Sequence, residues 1–367
     1  MTGVLTSRRA RWAMPALVAA AVAAAAITTT NGAGASERPN LPTRTAASLL
    51  AAVQQAHPVA LSGTIVETAH LGLPDLPTSG YGGGGVSLET LLTGSHTMRV
   101  WYDGPTRQRI ALLAPLSERD VIHNGKDLWT YTSTTNEVTH TTVGRNAPTV
   151  NTDMLGLTPQ QAARQALQAV DPTTEVTVDS TARVAGRPAY QLNLVPRDSR
   201  SLIGSVRIAI DSATSVPLRV QVFGSGSTPA IEVGFTDISF SAPSPSVFRF
   251  VPPSGATVQE EDSADNDRPE TTPGESLSRP TLSTGEPAAT AHRRVLGSGW
   301  TAVVDYPMDA SHLWHNDLLE RVSRTVPSGR LVTTALVSVL VTYDGHVFVG
   351  PVSGAAIQWV AATGHGL

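Results

Sequence analysis

His312 and His315 stand three residues apart on a segment patterned as a helix, with Asp309 and Asp317 close by. An i, i+3 spacing puts two imidazoles near one helix face. Imidazole and carboxylate are zinc-ligand chemistry, yet no further ligand stands at a known spacing and no His-Glu-x-x-His run occurs. The pair reads as solvated helix surface, and no metal is expected. His123 and His140 fall singly on predicted strands, where a histidine is ordinarily a satisfied structural group. Tyr81 followed by Gly82–Gly85 lacks the Gly-Lys-Ser/Thr ending that cradles phosphate. Gly224-Ser225-Gly226 lacks the spacing of a nucleophile elbow. The carboxylates of Glu260, Glu261, Asp262, Asp265, Asp267, Glu270 and Glu275 lack the alternating oxygens and central glycine of a calcium loop. No catalytic residue and no cofactor emerge, and a non-enzymatic role is the expectation.

Composition narrows the classes further. The chain has 367 residues, enough for more than one domain. Its formal net charge of -4 leaves no basic field for nucleic acid. It has 0 cysteines, which excludes disulfides, thiolate zinc sites, cysteine nucleophiles and a lipidated N-terminal cysteine. With 31 glycines and 26 prolines, it favours turns and short strands over a helical bundle.

Those turns and strands have an order. Arg8, Arg9 and Arg11 precede an apolar run over Met14–Ile27, and Ala33-Gly34-Ala35 precedes Ser36. That is the layout of a secretory signal peptide. The apolar run is short beside the roughly 20 residues of a spanning helix. Residues 1–35 are therefore a segment that is cleaved or kept as an anchor, and the rest faces outside the cytoplasm. Thr45 caps a predicted helix running to Ala56. Ala60–Ala69 is a β-rich run, and residues 72–87 form a glycine-rich loop. Strands are predicted at Met98–Tyr102, Arg107–Ala114, Asp120–His123, Lys126–Thr132 and Glu137–Val143, with a hairpin signal at Asn124-Gly125. A second helix spans Pro159–Val170, with Ala162, Ala163, Ala166, Leu167 and Val170 on its apolar face. Strands follow at Glu175–Asp179, Ala182–Val184, Ala189–Val195, Ser205–Asp211, Leu218–Phe223 and Ile231–Phe235. Residues 258–294 are acidic, proline-rich and poor in large apolar side chains, the composition of a disordered linker. Residues 295–367 form a small α+β module, with a strand at Trp300–Asp305 and a helix at Asp309–Thr325. A hairpin joins Leu331–Thr342 and His346–Val349 about Asp344-Gly345, and a final helix covers Gly354–Ala362.

The run Asn124-Gly125-Lys126-Asp127-Leu128-Trp129-Thr130-Tyr131, then Asn136-Glu137-Val138-Thr139, resembles the LolA family of lipoprotein carriers. Arg99–Pro105, Ser205–Asp211, Pro217–Val222 and Pro252–Ala256 resemble further segments of that family. The likeness covers roughly residues 45–257. RseB/MucB regulators of envelope stress share the fold and add a smaller second domain, as this chain does, and exported proteins of actinobacteria are similar. The resemblance implies an α+β, mostly β fold. Residues 36–257 would form a half-open antiparallel β-barrel with a helical lid, followed by the linker and the small module. It implies an extracytoplasmic protein that binds the acyl chains of a lipid or lipoprotein. The alternative is a regulator that binds a membrane-bound anti-sigma factor or another envelope protein. In lipoprotein carriers an arginine before the strand-turn proline ties the lid shut. Gly104 stands there instead, with Arg107 and Arg109 nearby as substitutes. Alternate residues of a strand share one face. The expected lining is therefore Ile65, Met98, Val100, Tyr102, Ile110 and Leu112, with Leu50, Val53 and Leu167 as lid contacts. Trp101, Trp129 and Tyr131 are out of phase with this set and belong on the other face or at a rim.

Overall fold

The computed structural model describes residues 39–56, 59–73, 93–114, 117–143, 158–168, 170–262, 293–307 and 317–367. The signal segment, most of the glycine-rich loop, most of the linker, and His312 and His315 lie outside these residues.

Both helices of the main part form where local chemistry caps them. The Thr45 hydroxyl accepts from the Ser48 amide at 3.2 Å and starts α1 (Ala46–Gln55). α2 (Pro159–Gln168) starts with a reciprocal capping pair. The Gln161 amide donates to Thr158 Oγ1 at 3.3 Å, and the Thr158 amide donates to Gln161 Oε1 at 2.9 Å. Pro159 occupies the first turn, where its missing N–H costs nothing.

Two meanders and one further edge strand make one 12-stranded sheet. The first comprises β1 (Leu61–His70), β2 (Thr93–Tyr102), β3 (Arg107–Ala114), β4 (Ser117–Asn124), β5 (Asp127–Thr132) and β6 (Glu137–Thr142). The second comprises β7 (Thr174–Val184), β8 (Arg187–Pro196), β9 (Ser205–Asp211), β10 (Pro217–Phe223) and β11 (Pro229–Ser239). β1 pairs with both β2 and β11 and so joins the two halves. α2 lies between β6 and β7 in sequence. The chain must cross from one side of the sheet to the far edge there, and α2 packs against β10 and β11 on the way. β7 also touches β11, four places away in the sheet. In a flat sheet those strands would be about 19 Å apart at ~4.8 Å per step, so the sheet curls. Its edge strands, β7 and β12, are not paired with each other, and the barrel is open.

Boundaries differ from expectation where tertiary pairing extends a strand. The runs over residues 175–179 and 182–184 are one strand, with an irregularity between Val178 and Thr181. β12 (Thr257–Asp262) takes up the first residues of the expected linker and pairs with β6 in parallel, making the sheet mixed. The acidic run orders there because Glu260 has a partner: its carboxylate lies 2.6 Å from His140 Nδ1. Gly63 permits one close approach. A Cβ there would lie 2.4 Å from the Asp237 carbonyl and 3.0 Å from the Phe235 ring.

The second sheet has six strands in the order β13-β14-β18-β17-β16-β15. These are β13 (Arg294–Leu296), β14 (Val303–Pro307), β15 (Arg324–Val326), β16 (Gly329–Thr333), β17 (Ser338–Thr342) and β18 (His346–Gly350). A short α3 (Asp317–Val322) precedes β15, and α4 (Gly354–Thr363) closes the chain. The helix expected over residues 309–325 ends at Val322, because Arg324–Val326 pairs with β16. The expected strand 331–342 is two strands separated by a turn in which the Thr334 amide donates to the Val337 carbonyl. Trp300 sits in a 3-10 turn (Gly299–Thr301), not in a strand. α4 is capped by Ser353 at its start and by left-handed Gly364 at its end. Its Ile357 and Val360 pack on Leu331, Leu340 and Phe348.

The two sheets meet through specific contacts. Leu202 N donates to the Pro351 carbonyl at 2.7 Å, and Ala335 N donates to the Leu71 carbonyl at 2.9 Å. Trp300 is buried and donates from Nε1 to Thr174 Oγ1 at 2.7 Å. Its ring joins Leu49, Ala162, Ala163 and the β8–β10 side chains Leu192, Ile208 and Val220.

Candidate functional site

Strand parity places one apolar row across the middle of the large sheet. Met98, Val100 and Tyr102 of β2 stand opposite Ile65, Gly63 and Leu61 of β1. On the other side they stand opposite Leu112, Ile110 and Gln108 of β3. β1 carries the row on to Phe235 of β11. Over this row, α1 and α2 leave a cavity of about 780 Å³. That volume lies within the range of small-molecule sites, ~300–1,000 Å³.

Of the residues expected to line a cavity, Ile65, Val100, Tyr102, Ile110, Val53 and Leu167 border this one. Met98 and Leu112 lie deeper, in the buried cluster with Leu61, Val233 and Phe235. Leu50 packs in the other cluster, under α1 beside Leu49 and Tyr190. Trp101 borders the cavity mouth, while its ring is flanked by the guanidiniums of Arg99 and Arg109 at 5.3 Å each. Trp129 and Tyr131 lie elsewhere: Trp129 stacks on His140 at 3.9 Å, and both rings tilt against Phe250.

Neither arginine near Gly104 is free to tie a helix shut. Gly104 turns with φ +93°. Arg107 pairs with Asp103 at 2.6 Å. Arg109 holds Asp120 through Nη2 at 2.6 Å and Nε at 3.3 Å, and donates to the Val247 carbonyl. Among the described residues, neither arginine is bonded to α1 or α2.

Sequence reasoning missed the polar side of the cavity. α2 turns Gln160, Gln161, Arg164 and Gln168 toward it and keeps Ala162 and Ala163 buried. Gln54 of α1 and Gln108 of β3 add two more amides. The signal is present in PQQAARQALQ, whose polar residues recur at helical spacing beside the alanine face. Phe235 was legible by parity from Ile231 and Val233. Among the described lining residues Arg164 carries the one formal charge and none is a carboxylate. Burial pushes the Tyr102 hydroxyl pKa up, so it remains a neutral donor at ordinary pH.

An open curled sheet crossed by two capped helices over an apolar cavity is the geometry that the sequence likeness anticipates. Residues 93–259 match the model of the MucB/RseB N-terminal domain. Over that stretch the chain is similar to the MucB/RseB N-terminal domain. The matched stretch runs from the start of β2 into β12. α1 and β1 precede it and supply the strand that joins the domain's two meanders. Several solved structures are similar at low identity. The Pseudomonas aeruginosa MucA/MucB complex is 17% identical over 86% of this chain and 96% of that one, with a TM-score of 0.41. An uncharacterized conserved protein from Thermus thermophilus is 14% identical over 59% of this chain and 99% of its own, with a TM-score of 0.33. LprF from Mycobacterium bovis is 9% identical over 55% of this chain and 96% of its own, with a TM-score of 0.29. No curated protein matches the chain. Among the described residues no helix is long and apolar enough to cross a membrane, and no cluster of three or more His, Asp or Glu could hold a metal ion.

Proposed function

We propose that this protein holds the acyl chain of a lipid or lipoprotein outside the cytoplasm, between the large sheet and the helices α1 and α2. The observation that supports the reading is the cavity of about 780 Å³ floored by Ile65, Val100, Ile110 and Phe235. Each methylene buried there contributes about 0.8 kcal/mol. One chain then binds firmly enough to be held and weakly enough to be released. The role makes and breaks no covalent bond, and export by the N-terminal segment would bring the domain to its ligand. Displacement of a fluorescent fatty acid from the purified protein tests the reading. Leu167→Trp, which fills the cavity from α2, is expected to weaken binding at least about tenfold, ~1.4 kcal/mol, with the melting temperature nearly unchanged. Native mass spectrometry without any co-purifying lipid, together with no fatty-acid displacement, would reject it.

A second reading is favoured by the MucB/RseB family match and by the second sheet packed against the first. In it, the protein is an envelope regulator that binds the extracytoplasmic part of a membrane-bound anti-sigma factor, as MucB binds MucA in the Pseudomonas complex. Mixing the full chain with that segment of an anti-sigma factor from the same genome tests it. Failure to form a complex by size-exclusion chromatography would count against this reading and leave the acyl reading intact.

A further inference from the structure

We infer that the ligand is a single-chain amphiphile with an anionic head, and that Arg164 on α2 selects that head. The inference rests on the acyl-binding reading and adds the charge and size of the ligand to it.

The first observation is the charge of the lining. The whole chain carries a formal net charge of -4, yet the described residues around the cavity include one arginine and no carboxylate. Among the described residues, a ligand cation would meet Arg164 and find no counter-charge in the lining.

The second is that Arg164 is uncommitted among the described residues. The other arginines near the cavity, Arg107 and Arg109, are held by Asp103 and Asp120. Arg164 is exposed and has no ion pair among the described residues. A guanidinium offers planar, paired donors that match a carboxylate or phosphate. Gln160 and Gln168 lie one turn before and after it and also face the cavity. Their amides offer donors to the oxygens of the same head. α2 also begins at the cavity, where its cap Thr158 borders the space, so the positive end of its dipole adds to the field there.

The third is volume. At about 30 Å³ per small group, the share of a water molecule in the liquid, 780 Å³ holds roughly 26 such groups. One sixteen-carbon chain with its carboxylate, about 18 groups, fits that space, and two such chains, about 36, exceed it.

The ligand is thus laid out along the cavity. Its methylenes rest on Ile65, Val100, Ile110 and Phe235, and its acid lies at the α2 edge. A fatty acid and a lysophospholipid share this chemistry, and the assay separates them. Displacement of a fluorescent fatty acid from the full-length protein is measured with four competitors of equal chain length: palmitate, palmitoyl lysophosphatidylglycerol, palmitoyl lysophosphatidylcholine and monopalmitoylglycerol. Palmitate, the lysophosphatidylglycerol or both are expected to bind about tenfold or more tighter than monopalmitoylglycerol, and the better of the two names the source. Arg164→Gln is expected to erase that preference and leave the neutral ligand's affinity unchanged, while Arg164→Lys keeps most of it. Equal affinity for anionic and neutral ligands, or a preference that survives Arg164→Gln, overturns the inference and leaves acyl binding standing. If none of the four competitors displaces the probe, both readings fail together.

Discussion

His140 is held on three sides. Trp129 stacks against its ring at 3.9 Å, Asp127 lies 3.0 Å from Nε2, and Glu260 lies 2.6 Å from Nδ1. Burial by itself would lower its pKa. The hydrogen bonds to the two carboxylates outweigh burial and raise it above 6.5. A raised pKa in the folded state means the stabilisation is complete below about 6.5, where the ring is charged in both states. It fades as pH rises through the folded value. Since Glu260 belongs to β12, that strand is expected to hold less tightly at pH 8 than at pH 6. Amide hydrogen exchange over residues 257–262 at the two values measures it. His140→Ala is expected to remove the difference, and equal protection in the unmodified protein would refute the linkage. The sequence showed His140 as a lone strand histidine. It could not show the partner, because Glu260 is 120 residues away.

At the scale of elements, β3, β4 and the 3-10 turn Pro245–Phe248 are fastened by one ion pair. Asp120 is nearly inaccessible, with 4% of its side chain exposed, and Arg109 meets it from β3. Arg109 also donates to the Val247 carbonyl. Removing one partner of such a pair strands the other charge in the interior. Arg109→Ala is therefore expected to cost about 3–5 kcal/mol, read from the urea midpoint. Replacing both by apolar residues of similar size, Arg109→Met with Asp120→Leu, is expected to recover most of that loss. An Arg109→Ala protein of unchanged stability would show that water reaches Asp120. The elements themselves were largely legible. β3 and β9 match their expected bounds, and most other strands fall within a few residues, because alternation and turn residues are local signals. The misses were of two kinds. β15 and β12 exist because partners β16 and β6 complete their hydrogen bonds, and no local pattern announces that. In α2 the periodicity marks the alanine face, while the glutamines and Arg164 carry the part turned to the cavity.

For the whole molecule, Trp300 is the contact of greatest consequence. It lies in the smaller part of the chain, yet its ring completes the cluster beneath α1 and α2. Next to it, Gly299 has φ +58°, and a Cβ there would lie 2.8 Å from Thr173 Oγ1. Trp300→Ala is expected to cost about 3–5 kcal/mol, as for other buried large aromatic side chains. It is also expected to raise hydrogen exchange in α1 and α2 along with the second sheet. A loss of protection confined to residues 293–367 would show that the two parts are not coupled through this ring. A module of about 70 residues has a small core, so its length alone implies docking or oligomerisation. The sequence named neither the surface nor the residue, since a tryptophan in a short turn has no periodicity that points to its partner.

The cavity divides along the same line. Alternating residues in β1, β2 and β3 determined by themselves that an apolar face would form, because side chains on a strand alternate with period two whatever lies opposite. The placement of Arg164 at the cavity, the pairing of Arg109 with Asp120 and the clasp on His140 were decided only by the tertiary structure. Each joins residues that are distant in sequence, or depends on how far a helix rotates over the sheet. Ala162 and Ala163 pack in the cluster with Ile208 and Val220, and with that face buried the polar side of α2 turns toward the cavity.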